Sequence, residues 1–126
     1  MRENLHQSFT ELEVWKKARI LKNHVKTLAE AFPQEEKFRL SDQVIRSSRG
    51  INAVIAEGHG RFTFKDQLHF CIIATGSLYE TFNHLIDAFD CKYITEEILL
   101  TFKAMIDETG RLLNGYLTYL RNNLKK

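Results

Sequence analysis

The sequence predicts an all-α protein, an antiparallel up-down-up-down four-helix bundle. Three observations carry this. Apolar residues recur every three or four positions in four separate segments, the period of a helix that buries one face. No segment alternates apolar and polar residues with the period of two that a half-buried strand needs. One proline and six glycines in 126 residues leave little room for linkers, so long helices must be joined by short connections.

The first helix is expected over 9–32, with Leu12, Trp15, Ala18, Leu21, Val25, Leu28 and Phe32 facing inward. Ser8 with Glu11, or Thr10 with Glu13, has capping-box spacing. Pro33 ends the segment because it pushes the preceding residue out of the helical region. The second helix is expected over 40–58. At ~100° per residue, Val44, Ser48, Ile51, Ile55 and Gly58 form its inward stripe, and Arg46, Arg49, Gly50, Ala53 and Glu57 lie opposite. Gly58 and Gly60 are expected to end it by taking the left-handed conformation of a C-cap.

The third helix, 64–90, opens with Thr63 as N-cap and Asp66 three residues on. Its inward residues are read as Leu68, Cys71, Thr75, Leu78, Phe82, Leu85 and Phe89. The fourth, 95–122, opens at Thr95, with Glu96 and Glu97 suited to the positive end of the helix dipole. It keeps a heptad rhythm through Ile98, Phe102, Met105, Thr109, Leu112, Tyr116 and Tyr119. Residues 1–126 read as one domain without internal repeats.

Composition narrows the function classes. With 44% apolar and 27% charged residues, the chain is that of a globular protein able to bury a core without staples. A net charge of +2 neither demands nor excludes nucleic acid. Cys71 and Cys91 are far apart and lack CxxC spacing, which argues against a disulfide scaffold or a zinc site and for a reduced, cytoplasmic setting. The opening "MRENLHQSFTELEVW" has no apolar signal region, and no apolar run approaches the roughly 20 residues that span a bilayer.

Enzyme chemistry finds little to stand on. A carboxylate-bridged metal centre in a bundle needs Glu-x-x-His pairs; the nearest arrangement is Glu80 with His84, at i,i+4 and without a second copy. No metal site and no cofactor are expected. "ATGSLYE" resembles a nucleophile elbow around Ser77, but lacks the closing glycine and the preceding strand; Gly76 and Ser77 are read as a close helix contact. "EGHGRFTFK" is not a Walker loop, although His59, Arg61 and Lys65 cluster just before a helix N-terminus, a general anion site. Small residues on the back of the second helix, Gly50 and Ala53 between Arg46, Arg49 and Glu57, point to a subunit or helix interface rather than a solvated face. Phe62 and Phe64 are expected in core or interface packing.

The motifs "LEVWKKA", "FPQEEKFRLSDQVIRSS", "INAVIAEGHGRFTFKDQL", "IATGSLYE" and "YI", in this order and spacing, resemble the bacterial four-helix-bundle proteins encoded within intervening sequences of 23S ribosomal RNA genes, also called S23 ribosomal proteins. The similarity runs from about Phe9 onward and is densest between Phe32 and Glu80. A related accessory protein of diversity-generating retroelements has the same bundle and binds nucleic acid. The resemblance implies a left-handed bundle, a homopentamer and a role with RNA or DNA. The family's signature falls on Trp15, Pro33, Gln43, Arg46, Ile51, Ala53, Ile55, Ala56, Glu57, Gly58, Arg61, Gly76, Ser77 and Glu80. Gly50, Asn52 and Val54 stand where the family usually has serine, proline and asparagine.

These readings combine into one expectation: a non-enzymatic homo-oligomer associated with nucleic acid through Arg46, Arg49, Arg61 and Lys65. Gly50, Ala53, Glu57, Gly58, Gly76, Ser77 and Glu80 are assigned to structure and interface. At least one of Glu57 and Glu80 is expected to be largely buried and paired with an arginine, Arg46 first. The alternative is an assembly module that recruits another protein without touching nucleic acid.

Overall fold

A computed structural model describes residues 8–124. They form four helices, α1 (Glu13–Glu30), α2 (Leu40–His59), α3 (Phe64–Asp90) and α4 (Glu96–Leu124), and no strand occurs among the described residues. Short 3-10 turns at Phe9–Glu11 and Gln34–Glu36 precede α1 and α2. Helices adjacent in sequence pack on one another and α1 also packs on α4, so all four share one core.

Helix α1 begins at Glu13 rather than near residue 9, because Ser8 caps the 3-10 turn instead. Its hydroxyl accepts the Thr10 N–H at 3.2 Å, and Leu12 is then extended. Neither capping box forms. The helix stops at Glu30, yet Phe32 beyond it is still buried, its ring 5.6 Å from that of Tyr93. Val14, Ala18, Leu21, Val25 and Ala29 are the buried residues, while Leu12, Trp15 and Leu28 flank them half-buried.

Helix α2 buries the expected Val44, Ser48, Ile51, Ile55 and Gly58, and the face is wider than expected, taking in Leu40, Ser41, Ser47 and Asn52 as well. Its end differs from the expected left-handed cap. The helix runs through Gly58 to His59, Gly60 caps it in right-handed conformation at φ −77°, and no glycine among the described residues has a positive φ. Closure comes from the Gly60 N–H, which donates to the carbonyls of Ala56 and Glu57 at 3.2 and 3.1 Å. Gly58 instead serves the contact with α3: a Cβ there would sit 2.6 Å from the Cβ of Phe70.

Helix α3 runs from Thr63, whose hydroxyl accepts the Asp66 N–H at 3.1 Å. Its core face is rotated from the expected stripe. Ala74, Thr81 and Ala88 join Cys71, Leu78 and Leu85 inside, while Leu68, Thr75, Phe82 and Phe89 are half-buried. Small residues at the centre let α2 and α3 approach, and the larger side chains fill the flanks. Thr81 donates to the Ser77 carbonyl at 2.9 Å and lies 2.8 Å from the Ser47 hydroxyl, so the buried hydroxyls find partners across the seam. Ser41 donates to the Ala29 carbonyl at 3.2 Å and Asn52 to the Trp15 carbonyl at 3.0 Å, which ties α2 to α1.

Helix α4 opens with the Thr95 hydroxyl accepting the Ile98 N–H at 3.2 Å. Phe102, Ile106, Thr109, Leu113 and Leu120 are buried; Met105, Leu112 and Tyr116 are half-buried, and Tyr119 faces outward. Between α3 and α4 the chain makes a Schellman closure. Lys92 takes the left-handed conformation at φ 66°, and the N–H groups of Lys92 and Tyr93 donate to the Phe89 and Ala88 carbonyls, each at 2.9 Å.

That closure aims Tyr93 at the α1–α2 connection. Its hydroxyl donates to Glu36 Oε2 at 2.6 Å, and the other Glu36 oxygen accepts the Leu40 N–H at 3.3 Å. The Tyr93 bond, then the Leu40 N–H, holds the Glu36 carboxyl below the usual range; the same bond, aided by burial, pushes Tyr93 up to about 12. The stabilisation is therefore complete between the unfolded carboxylate and phenol values, about 4 and about 10. It is lost as pH falls through the lowered Glu36 value, and again as pH rises through about 12. Tyr93→Phe should be less stable than the parent near neutrality, with the gap closing at both extremes. Urea melts across pH check this, and a gap constant with pH would exclude the bond as its source.

Candidate nucleic-acid interface

The four basic residues singled out from the sequence do not form one cluster. Arg46 and Arg49 lie about one turn apart on the outer face of α2, both exposed. Arg61 follows the far end of that helix, roughly 15 Å or more away along its axis. Lys65 lies in the first turn of α3, just past the α2–α3 turn that carries Arg61. Chain order thus brings Arg61 and Lys65 to one end of the bundle and leaves the other pair apart.

Their charges are unequally available. Arg61 donates to Glu57 at 3.2 Å and lays its guanidinium 4.9 Å from the centre of the Phe70 ring. Arg46 has a looser contact with Asp42, at 3.7 Å. Arg49 and Lys65 take no carboxylate partner among the described residues. Burial lowers the pKa of His59, so it stays neutral near pH 7 and adds no cation to the rim.

The expected buried carboxylate is not found. Glu57 and Glu80 are both exposed; Glu57 pairs with Arg61, and Glu80 with His84 at 3.3 Å. Arg46 reaches neither. Both pairs are i,i+4 contacts along or just past one helix, the geometry a helix surface offers without help from a neighbour. The Glu57–Arg61 pair is exposed on both sides, and pairs of this kind contribute about 0–1 kcal/mol.

The small residues also divide. Gly50 is half-buried against α3, where an added Cβ would make an ordinary 3.8 Å contact with the Ser77 hydroxyl. Ala53 faces outward. Gly76 lies on the outer face of α3, and a Cβ there would meet nothing within 4 Å. Around it stand Ile72, Ile73 and Tyr79, which are 51%, 41% and 58% exposed. This patch escaped the sequence reading because an apolar residue one step from the core stripe looks like its edge. Phe62 and Phe64 are not core residues either: Phe62 is fully exposed and Phe64 is more than a third exposed.

Reactive groups are muted. Burial pushes the Cys71 thiol up to about 11, so it is not a thiolate near neutrality. No group of three or more His, Cys, Asp or Glu side chains is placed to hold a metal among the described residues. No helix among them is long and apolar enough to cross a membrane.

The family profile described as 23S rRNA-intervening sequence protein matches residues 10–115. The fold is similar to a crystal structure from Bacteroides thetaiotaomicron VPI-5482, described as a protein of unknown function from the S23 ribosomal protein family. The two chains share 26% identity with a TM-score of 0.76, over 82% of this chain and 97% of the other. No curated protein matches the sequence.

Proposed function

The chain belongs to the 23S rRNA-intervening sequence protein family, and from that premise we propose that it is a non-enzymatic homo-oligomer, a pentameric ring, that holds RNA or DNA on a repeated basic surface. The observation that carries the reading is the patch on α3. Exposed apolar residues scattered singly are ordinary, but Ile72, Ile73 and Tyr79 surround a bare stretch of backbone at Gly76. A second copy seated there would bury three apolar side chains and approach the backbone closely. The order of helix packing fits the up-down-up-down antiparallel arrangement of a single domain over 1–126, with the left-handed twist usual for such bundles. A cytoplasmic protein without cofactor or metal completes the reading.

A net charge of +2 gives one copy a weak field. A ring repeats Arg49 and Lys65, which have no acidic partner among the described residues, and Arg46 and Arg61, whose fields are partly offset by Asp42 and Glu57. Linked contacts of this kind raise avidity without any new chemistry. Phosphate contacts carry no sequence information, so binding should be largely independent of sequence.

Fluorescence anisotropy with structured RNA and duplex DNA across a salt series tests this. Affinity should fall as salt rises, because each phosphate contact releases counterions. Arg61→Glu combined with Lys65→Glu should abolish binding while leaving the oligomer intact, since both side chains are exposed. No affinity at low salt, or affinity indifferent to both salt and the reversals, would replace this reading with that of a module recruiting another protein.

A further inference from the structure

The α2–α3 turn and the C-terminal part of α4 enclose an open cleft of about 630 Å³. That volume is within the range of small-ligand sites, about 300–1,000 Å³. Its aromatic edge is out of keeping with a plain solvated corner: Phe62 is 103% exposed, Tyr119 55% and Phe64 38%. Phe64 and Tyr119 hold each other edge to face, with ring centres 6.3 Å apart and planes at 87°.

The polar wall behind them is braced. The Tyr116 hydroxyl donates to Gln67 Oε1 at 3.3 Å, and Gln67 Nε2 donates to the Arg61 carbonyl at 3.3 Å. Arg61 is fixed in turn by Glu57 and the Phe70 ring. Lys65 stands one residue past Phe64, exposed and without an acidic partner among the described residues. The local sequence Arg61-Phe62-Thr63-Phe64-Lys65 therefore brackets two aromatic rings with two cations, and the fold leaves rings of both phenylalanines open to solvent.

We propose that this cleft takes an unpaired base of a single-stranded nucleic acid, stacked on Phe62 and the Phe64–Tyr119 pair, with the adjacent phosphate held by Lys65. The inference rests on the nucleic-acid reading above and deepens it. Every base offers a π-face, so stacking tolerates sequence, but only an unpaired base can reach a ring. A duplex can use the cations and not the cleft. Glu57 already neutralises part of the charge on Arg61, so stacking must supply most of the discrimination between single and double strands.

The test is anisotropy with a labelled single-stranded RNA and a matched duplex at low salt, using the full chain. Phe62→Ala should weaken single-strand binding about tenfold or more, while duplex affinity changes little. Full exposure of Phe62 makes the substitution safe for folding. Phe62→Trp should keep the affinity, and its fluorescence should be quenched by the strand and far less by adenosine monophosphate at equal concentration. Unchanged single-strand affinity in Phe62→Ala overturns the stacking site; if the charge reversals still abolish binding, the broader reading survives alone. Equal quenching by the mononucleotide would make the cleft a free-nucleotide site and overturn the proposal. A lower oligomer mass in Phe62→Ala would make the cleft a subunit contact, with the same consequence. If no nucleic acid binds the parent protein, both readings fall.

Discussion

Gly58→Ala should destabilise the fold by about 1–3 kcal/mol, the usual cost of forcing a methyl group into a filled contact. The opposing effect is helix propensity, which favours alanine over glycine inside a helix by roughly 0.5–1 kcal/mol. Geometry decides between them. The new Cβ would lie 2.6 Å from Phe70 Cβ, an atom next to the α3 backbone, so no rotamer change can relieve the contact. The two helices must move apart along their most extensive seam. Gly115→Ala is the control: it is exposed within α4, a Cβ there meets nothing within 4 Å, and stability should rise by about 0.5–1 kcal/mol. Denaturant melts of the two variants should give opposite signs. Equal stabilisation would mean that Gly58 is only a permissive helix residue.

Legibility followed the kind of contact that fixes each residue. The α2 stripe of Val44, Ser48, Ile51, Ile55 and Gly58 was readable because periodicity alone selects a helix face. The α3 face was displaced because an apolar residue is a stronger signal than a small one: Phe82 and Phe89 drew the stripe, whereas Thr81 and Ala88 occupy the centre. Gly58 was placed on the inward stripe but also assigned to a cap, because a glycine near a helix end has that local use. Its actual constraint comes from Phe70 on another helix, and no local rule contains that distance. Glu57 looked like a buried partner of Arg46, but i,i+4 spacing delivered it to Arg61 at the surface. The exposure of Phe62 depends on the path of the α2–α3 turn, and the patch around Gly76 on how α3 is rotated; spacing on one helix leaves both undetermined.

The patch gives the second large effect. Ile72→Glu with Gly76→Glu should collapse the proposed oligomer to its 14.8 kDa chain, with helical content retained. In the single chain both positions are exposed, and substitutions at such sites usually change stability by no more than about 0.5 kcal/mol. Within an interface the same carboxylates would be buried without partners, at a cost of several kcal/mol each. Repetition around a ring compounds the loss. Nucleic-acid affinity should fall with the mass, because avidity depends on linked copies. A double variant that keeps the parent mass would move the subunit contact elsewhere.

The most direct measurement is the mass of the unmodified protein at micromolar concentration, by light scattering coupled to gel filtration. A single species several times 14.8 kDa, near five copies, is expected. A monodisperse 14.8 kDa monomer would contradict it, because one copy with a net charge of +2 has no repeated surface to offer.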